Sequence, residues 1–295
     1  MKNIIVVTGG AGFVGANLIS FLLKNTKYKI LSIDNYSSGL KTNHINNKKV
    51  KYIKGNTKNI STLLNSKKNK INAIFHFGEF SRIYQSFLNM EECINSNTVG
   101  SHAIFNFCLN NKIKLIYSAT SASLGNKGRD KNLSPYAFTK SINLELLENS
   151  KKWFKMKYEI IYFYNVYGPR QISIGNMATV IGIFENAYKN KKPLPIVKPG
   201  TQSRKFTHIS DTVKVCYDAW KKNKCRHYSV SSKKDYSILE VAKLFKSKIK
   251  LLPARSGERY ASALTNMNLS NKVYKNFGRI SLKTYIEKIK NTHKR

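Results

Sequence analysis

The sequence predicts an α/β protein, with a doubly wound parallel sheet that has helices on both faces and a smaller C-terminal α/β lobe. Three observations carry this prediction. Short apolar runs alternate with longer helical runs through the first half of the chain. A glycine-rich turn follows the first apolar run directly, which is typical of a strand that passes into a helix. After about residue 168, proline and glycine divide the chain into shorter elements.

Six apolar runs of strand length are the predicted strands of the sheet. They span residues 4–7, 29–33, 50–53, 73–77, 113–117 and 160–163. The intervening segments 14–23, 91–111 and 139–156 have the length and periodicity of helices. Because strands joined by helices in this order pair in parallel, we expect one open sheet.

The pattern changes where Gly168 and Pro169 interrupt the chain, and further prolines follow at 193, 195 and 199. We therefore predict one domain over residues 1–167 and a lobe over residues 168–295. The apolar run near 227–231 is expected to return as a strand of the main sheet.

The charge of the chain is extreme, with 52 basic and 15 acidic residues and a net charge of +37 over 295 residues. Such a charge raises the possibility of a nucleic-acid or other anionic partner. The lysines, however, are spread through nearly every polar stretch and do not form one arm. We predict no specific nucleic-acid site, and an anion-binding protein without catalysis remains the alternative from another functional class.

Other compositional features suggest neither a membrane protein nor a metalloprotein. No apolar stretch reaches the roughly 18 residues that a transmembrane helix needs. Residues 4–23 are interrupted by glycines and lack the flanks of a signal peptide, so we expect a cytoplasmic protein. The four cysteines form no C-x-x-C pair and have no zinc spacing, so we expect reduced thiols and no metal.

The motif Gly10-x-Gly12-x-x-Gly15 predicts a dinucleotide site because it lies between a strand and a helix. Glycines let the backbone approach a pyrophosphate, and the positive end of the helix faces the anion. Asp34 follows at the end of the second strand, where a carboxylate accepts hydrogen bonds from ribose hydroxyls and repels a 2′-phosphate. The sequence therefore favours NAD over NADP.

A second motif, Tyr136-x-x-x-Lys140, places a phenol and an amine on one face of a predicted helix. A nearby cation favours the phenolate, so we expect Lys140 to lower the pKa of Tyr136. Thr120, at the end of the fifth predicted strand, adds a hydroxyl that can hydrogen-bond a reacting oxygen. Such a trio supports acid–base chemistry coupled to hydride transfer.

With these motifs the chain resembles the extended short-chain dehydrogenase/reductase family, which has a Rossmann-type fold, and within it the nucleotide-sugar epimerases. The resemblance covers nearly the whole chain. It rests on the segments 8–15, 34–35, 75–76, 97–100, 118–120, 136–140, 165–170 and 204–211.

The resemblance implies roles for individual residues. Thr120, Tyr136 and Lys140 would be catalytic. The cofactor would contact Gly9, Gly12, Phe13, Val14, Gly15, Asp34, Asn35, Asn56, Thr57, Phe77, Gly78, Asn97, Ser118, Tyr136 and Lys140. The nucleotide sugar would contact Glu79, Ser81, Arg82, Thr120, Tyr136, Asn165, Asn176, Arg204, Arg255 and Ser262, many of them in the C-terminal lobe. Two helices, near 91–111 and 139–156, would form a homodimer interface.

The residues after Thr120 narrow the reaction that the resemblance implies. Family dehydratases have Asp-Glu there, whereas this chain has Ser121 and Ala122, and the glutamate of the decarboxylases is absent. We therefore expect epimerisation at C4 of a UDP-linked hexose through a 4-keto intermediate. An ADP-heptose 6-epimerase is the alternative enzyme, although that branch favours NADP.

Three positions bear on the substrate and the site. A small residue at Ser262 is typical of family members that accept N-acetylated sugars such as UDP-N-acetylglucosamine, but a surface loop serine is an equal interpretation. Asn56 replaces a usual aspartate at the adenine. Glu79, where the family has a small residue, is either an acid near the sugar or a structural partner of Arg82.

Overall fold

The computed structural model describes residues 2–123, 130–222, 224–255 and 273–293. Within these residues the strands are β1 (Ile4–Thr8), β2 (Lys29–Asp34), β3 (Val50–Lys54), β4 (Ile71–His76), β5 (Lys114–Thr120), β6 (Tyr158–Phe163), β7 (Val166–Tyr167), β8 (Leu194–Val197), β9 (Ser203–Arg204), β10 (Thr207–His208), β11 (His227–Ser231), β12 (Tyr236–Ser237), β13 (Ile249–Leu252) and β14 (Val273–Phe277). The predicted role of Ser262 lies outside the described residues.

The helices connect these strands. They are α1 (Phe13–Asn25), α2 (Ile60–Leu64), α3 (Ile83–Leu88), α4 (Met90–Ile94), α5 (Ser101–Asn110), α6 (Pro135–Phe154), α7 (Val180–Lys189), α8 (Ile209–Lys222), α9 (Ile238–Phe245) and α10 (Leu282–Thr292). A π-helical segment, Asn95–Gly100, joins α4 to α5. Short 3-10 turns cover Lys41–Asn43, Thr57–Asn59, Asn65–Lys70 and Ser121–Ser123.

Eight strands form one parallel sheet in the order β14-β11-β6-β5-β4-β1-β2-β3. The predicted doubly wound parallel sheet is therefore confirmed, as is the return of the strand near 227–231 beside β6. The eighth strand, β14, pairs with β11 and was not predicted. Three pairs of shorter strands complete the lobe: β7 with β10, β9 with β12, and β8 with β13.

Strand β1 shows why the sheet is covered on both faces. Its residues are all buried, and they alternate between two apolar clusters. Ile4 and Val6 pack with α2, α5 and α6 on one face, whereas Ile5 and Val7 pack with α1 and α8 on the other. Apolar residues at the first four positions of β1, pointing alternately to the two faces, are what a strand between two helical layers requires.

Two predicted helices differ from their sequence pattern. The helix predicted at 91–111 is continuous but contains the π-helical segment, where the periodicity changes. The helix predicted at 139–156 begins earlier, at Pro135, because Ser134 caps it by accepting a hydrogen bond from the backbone N–H of Ala137 at 3.1 Å. This earlier start places Tyr136 in the first turn of α6.

The C-terminal lobe has an apolar cluster of its own. This cluster combines buried side chains of α7, α9 and α10 with strand β8. Helix α8, in contrast, packs its apolar face on the main sheet. The division of the chain at residue 168 remains a prediction.

The described residues contain no helix that is both long and apolar enough to cross a membrane. Within the same ranges, no group of three His, Cys, Asp or Glu side chains is arranged to hold a metal ion. The four cysteines are free, and three of them, Cys93, Cys108 and Cys216, are buried.

A buried ion pair stabilises the sheet between β5 and β6. Lys114 Nζ lies 3.1 Å from Glu159 Oε1, and both side chains are almost fully buried. Glu159 also accepts hydrogen bonds from the backbone N–H groups of Cys225 at 3.0 Å and Arg226 at 2.9 Å, just before β11. This carboxylate therefore joins three neighbouring strands.

We predict that Glu159→Ala lowers the free energy of unfolding by about 3 kcal/mol, because it leaves the Lys114 ammonium buried without its carboxylate. Urea denaturation would measure the change. In the exposed pair Lys214–Asp218, Asp218→Ala should cost less than about 1 kcal/mol. Equal losses in the two variants would contradict the prediction.

Candidate active site

A cavity of about 510 Å³ opens at the carboxyl edge of the sheet, between the main sheet and the lobe. The glycine-rich turn after β1 and the loops after β2, β4 and β5 line one side. Residues of α7, β8, β9 and β13 line the other. In parallel α/β sheets this edge is the usual position of ligand sites.

The glycine-rich turn brings backbone close to backbone. A Cβ at Gly15 would lie 2.1 Å from the carbonyl oxygen of Gly9, so α1 could not pack against the turn with a larger residue there. Gly9 has a φ of 68°, and a Cβ on it would lie 2.7 Å from the backbone of Phe77. Helix α1 starts at Phe13, beside the cavity, without a side-chain cap or an acidic residue in its first turn. The partial positive charge of its N-terminus is therefore available to an anion in the cavity. This cradle fits a pyrophosphate.

Asp34 lies at the end of β2 and lines the cavity. Its carboxylate accepts hydrogen bonds from the backbone N–H groups of Ala11 at 2.9 Å and Tyr36 at 2.8 Å. The side chain thus ties the glycine-rich turn to the loop after β2, while it still borders the cavity. Asn35, Asn56 and Thr57 line the same end, as expected for a ribose and adenine site.

The predicted trio meets in the middle of the cavity. Thr120 ends β5, and Tyr136 and Lys140 stand one turn apart on α6. Thr120 lies close enough to the phenol of Tyr136 to lower its pKa, and its Oγ1 accepts from the backbone N–H of Ala122 at 3.1 Å. Two hydroxyl groups therefore point to one place on the cavity wall, where a substrate oxygen can bind both.

Lys140 has an unexpected partner. Its ammonium forms a close ion pair with Glu79 and donates to the carbonyl oxygen of Ser118 at 2.5 Å. Both side chains of the pair are buried. The interpretation of Glu79 as a partner of Arg82 is wrong, because the Arg82 guanidinium donates to the carbonyl oxygens of Met177 and Ser81.

The predicted effect of Lys140 on Tyr136 is also wrong. The pKa of Tyr136 is raised to about 12, mainly by burial and in addition by the Glu79 carboxylate. The hydrogen bond from Thr120 and the charge of Arg82 oppose this shift. Lys140, whose ammonium is paired with Glu79, is not among the main causes of this shift.

A buried histidine supports the floor of the site. His76 Nδ1 lies 2.7 Å from Thr8 Oγ1, and His76 Nε2 lies 3.0 Å from Ser101 Oγ. Burial lowers the pKa of His76 to about 4, so the ring is neutral at neutral pH. Thr8 in turn accepts hydrogen bonds from the backbone N–H groups of Phe77 and Gly78, each at 3.1 Å. The loop after β4 is thereby fixed against the glycine-rich turn.

Cationic side chains stand at the lobe side of the cavity. Arg204 is buried on β9, and the Arg255 guanidinium lies over the ring of Tyr84, 5.3 Å from its centre. Asn165 precedes both arginines in the chain and has a φ of 32°. Its side-chain amide donates to the carbonyl oxygen of Lys205 at 2.9 Å. Guanidinium groups suit the oxygens of a diphosphate.

Most of the predicted site residues border this cavity. They are Gly9, Gly12, Phe13, Val14, Gly15, Asp34, Asn35, Asn56, Thr57, Phe77, Gly78, Glu79, Ser81, Arg82, Ser118, Thr120, Tyr136, Lys140, Asn165, Arg204 and Arg255.

Two predicted residues do not line it. Asn97 is fully buried in the π-helical segment and holds the loop after β4, since its Oδ1 accepts from the backbone N–H of Phe80 at 2.6 Å. Asn97 has a structural role, because its Nδ2 donates to the carbonyl oxygen of Phe80 and to Thr139 Oγ1. Asn176 lines a separate cavity of about 180 Å³ with Gln85 and Glu92.

Sequence reasoning missed several residues that line the main cavity. They include Ser37, Ser38, Ser96, Ile172, Thr179 and Gln202. Ser37 and Ser38, three and four residues after Asp34, carried a signal, because small polar residues near such a carboxylate allow a ligand to approach closely. The apolar residues of the lobe that line the cavity, such as Ile172, carried no such signal in the sequence, since their position depends on how the lobe folds over the sheet.

Comparison with known proteins agrees with this geometry. A model of the NAD dependent epimerase/dehydratase family matches residues 5–231. The chain is 31% identical over 229 residues to an uncharacterized UDP-glucose epimerase, YtcB, of Bacillus subtilis, which covers 71% of this chain and 70% of the relative. It is 30% identical over 257 residues to an ADP-L-glycero-D-manno-heptose-6-epimerase of Brachyspira hyodysenteriae, covering 82% of this chain and 80% of that protein.

A solved structure is similar along its whole length. The UDP-N-acetylglucosamine 4-epimerase of Methanobrevibacter ruminantium, in complex with UDP-N-acetylmuramic acid, superposes with a TM-score of 0.83 at 25% identity, covering 100% of this chain and 98% of that one. The predicted family and cofactor are confirmed by the family match. The chain belongs to the NAD dependent epimerase/dehydratase family, and it is an enzyme of that family.

Proposed function

We propose that this enzyme inverts the configuration at C4 of a UDP-linked hexose, with NAD as a retained cofactor. The observation that carries the proposal is the meeting of Thr120, Tyr136 and Lys140 in a cavity that also contains the glycine-rich turn and Arg204. A site of this kind can hold a dinucleotide and a nucleotide sugar at once.

NAD would be held by the backbone of the glycine-rich turn at its pyrophosphate and by Asp34 at its adenosine ribose. Asn56 and Thr57 lie where an adenine would bind. When bound, the cofactor supplies the acceptor and donor of the hydride at C4 of the sugar. The protein supplies orientation and proton transfer.

In its phenolate form, Tyr136 takes the proton from the C4 hydroxyl as the sugar is oxidised, and it returns that proton as the sugar is reduced. Thr120 holds the substrate oxygen beside the phenol, since its hydroxyl already contacts Tyr136. Lys140 is buried behind them and keeps its ammonium near the carbonyl of Ser118. No net proton is consumed over the cycle.

The UDP part of the substrate would bind at the lobe, with Arg204 and Arg255 on the diphosphate and Asn165 beside it. The proposal that N-acetylated sugars are accepted rests on Ser262. The UDP-N-acetylglucosamine epimerase of M. ruminantium, which resembles the chain at its full length, supports it.

The residues after Thr120 favour epimerisation over dehydration. Ser121 and Ala122 form a 3-10 turn and line the cavity, and neither can act as the acid that removes a hydroxyl group. A dehydratase would need a carboxyl group at this place.

The heptose 6-epimerase remains the second candidate because a relative with that name is 30% identical over most of both chains. Asp34 supports the first candidate, because a carboxylate at the end of β2 disfavours the 2′-phosphate of NADP. Assays with UDP-galactose, UDP-N-acetylgalactosamine and an ADP-heptose, each analysed for its epimer, would separate the two candidates.

We also propose a homodimer through α4 and α6, which pack against each other on one face of the sheet. Met90 and Ile94 are exposed one turn apart on α4, and Phe138 and Ile142 are exposed one turn apart on α6. Such apolar stripes favour burial against a second copy of the chain.

We expect Tyr136→Phe to lower the turnover of UDP-galactose by about 10²–10⁴-fold, because the phenyl ring cannot transfer a proton. Circular dichroism and mass spectrometry of the released cofactor would show an intact fold with bound NAD. Tyr217→Phe is the matched control, since Tyr217 packs on Phe21 away from the cavity. Wild-type turnover in Tyr136→Phe would refute the proposed role.

The double variant Phe138→Glu/Ile142→Glu should be monomeric, because it places charges in the proposed interface. Size-exclusion chromatography with light scattering would measure the mass of each species. Leu251→Glu introduces the same charge at an exposed apolar position of β13 and should leave the dimer intact. A monomeric wild-type protein would contradict the proposed assembly.

A further inference from the structure

Arg82 immediately precedes helix α3 and lines the main cavity. Its backbone carbonyl oxygen accepts from the N–H of Ser86 at 3.2 Å, and Ser86 Oγ accepts from the backbone N–H of Tyr136 at 3.2 Å. The start of α3 is therefore packed against the start of α6, the helix that carries the phenol. This packing places Arg82 at the reacting end of the cavity, on the side of the main sheet.

The guanidinium of Arg82 extends from there to the lobe. Its Nε donates to the carbonyl oxygen of Met177 at 3.0 Å, and its Nη2 donates to the same oxygen. Ala178 and Thr179, the next two residues of the lobe, line the cavity. The side chain of Arg82 thus forms the wall between Tyr136 and the lobe, along which a sugar ring must lie if its C4 hydroxyl is to reach the phenol.

The contacts of Arg82 do not neutralise its charge. Its Nη1 donates to the carbonyl oxygen of Ser81 at 2.9 Å, so three of the five N–H groups of the guanidinium are engaged, all by neutral carbonyl oxygens. Within the described ranges, no carboxylate lies at ion-pair distance from Arg82. A half-buried cation is costly without an anionic partner, which indicates that the ligand supplies the anion.

The other charges of the cavity have partners of their own. The charged side chains that line it in the described part of the chain are Asp34, Glu79, Arg82, Lys140, Arg204 and Arg255. Lys140 is paired with Glu79, and Asp34 accepts from backbone N–H groups at the adenosine end. In the proposed function, Arg204 and Arg255 bind the diphosphate of UDP, and the pyrophosphate of NAD binds at the glycine-rich turn. Of these side chains, Arg82 is the cation for which neither nucleotide supplies an anion.

We propose that Arg82 binds a carboxylate at C6 of the sugar, so that the preferred substrate is a UDP-linked hexuronic acid. C3 and C5 flank the reacting C4, and of the groups that they carry in a hexose only C6 can be a carboxylate. The N–H groups that remain on Nη1 and Nη2 suit the two oxygens of such a group. A hydroxymethyl group at C6 would leave the positive charge unpaired. This preference rests on the proposed function, in which the site binds a UDP-sugar.

The test is isothermal titration calorimetry of the NAD-loaded enzyme with UDP, UDP-galactose and UDP-galacturonic acid. All proteins carry Tyr136→Phe, so that no ligand is converted during the titration. We expect UDP-galacturonic acid to bind at least about 10-fold more tightly than UDP-galactose, because a carboxylate forms charge-assisted hydrogen bonds that a hydroxyl group does not. This comparison of ligands needs no change at Arg82, so it decides the question even if an Arg82 variant does not fold.

Two substitutions at Arg82 and one control locate the effect. Arg82→Gln should abolish the preference for the uronic acid and leave the affinity for UDP nearly unchanged, because UDP has no group beside Arg82. Arg82→Lys should keep part of the preference, since it retains the charge and loses the planar fork. Arg204→Gln is the matched control, and it should weaken both sugars by the same factor because Arg204 is assigned to the diphosphate.

UDP-galactose that binds as tightly as UDP-galacturonic acid, or more tightly, would overturn the proposal. So would an unchanged preference in Arg82→Gln or a lost preference in Arg204→Gln. Mass spectrometry of the released cofactor distinguishes the two sources of an anion. NAD that is lost from Arg82→Gln but retained by the parent protein would assign the guanidinium to the dinucleotide, which also overturns the proposal.

Failure of the proposed function gives a different result. If UDP itself does not bind, the UDP-linked substrate is excluded, and the preference for a uronic acid is excluded with it. If the wild-type enzyme binds UDP-galacturonic acid preferentially but forms no C4 epimer, the proposed reaction is wrong and the role of Arg82 stands.

Discussion

The parallel alignment of strand ends is the constraint on which the site depends. In a parallel sheet every strand delivers its carboxyl end to the same edge, and the register of β1, β4 and β5 brings Thr8, His76 and Tyr117 side by side. Thr8 and His76 are joined by a hydrogen bond at 2.7 Å, which fixes the glycine-rich turn against the loop that carries Glu79. If one strand slipped by one residue along its neighbour, these groups would separate, because successive side chains of a strand point to opposite faces of the sheet.

Scarce acidic residues occupy the positions that organise the fold. Against 52 basic residues the chain has 15 acidic ones, and several of them each collect two or more donors. Asp34 binds two backbone N–H groups of neighbouring loops, and Glu159 binds a lysine and two further backbone N–H groups. Asp211 binds the backbone N–H groups of Arg279 and Ile280. The interior therefore uses carboxylates to join neighbouring elements.

The sequence predicted those features of the site that depend on residues close together in the chain. The glycine-rich turn, Asp34 and the Tyr136–Lys140 spacing could all be interpreted because each acts through its own strand or helix. The pairing of Glu79 with Lys140 could not, since the two are distant in sequence and the spacing of one helix says nothing about a loop packed behind it. The expected lowering of the pKa of Tyr136 failed because burial raises it, and the spacing of two residues on one helix does not show how deeply they are buried. Strand β14 was missed because its position in the sheet depends on β11, which itself returns from the lobe.

The apolar cluster of the lobe depends on the last helix of the described chain. Leu282, Ile286 and Ile289 of α10 are buried in it beside Phe184 of α7 and Phe245 of α9. Strands β1 to β6, in contrast, lie within the first 163 residues and pair with one another. During synthesis from the N-terminus, the cofactor-binding half can begin to pack while the lobe still lacks the helix that completes its interior. The residues that form the glycine-rich wall of the cavity are consequently synthesised before those that complete the lobe.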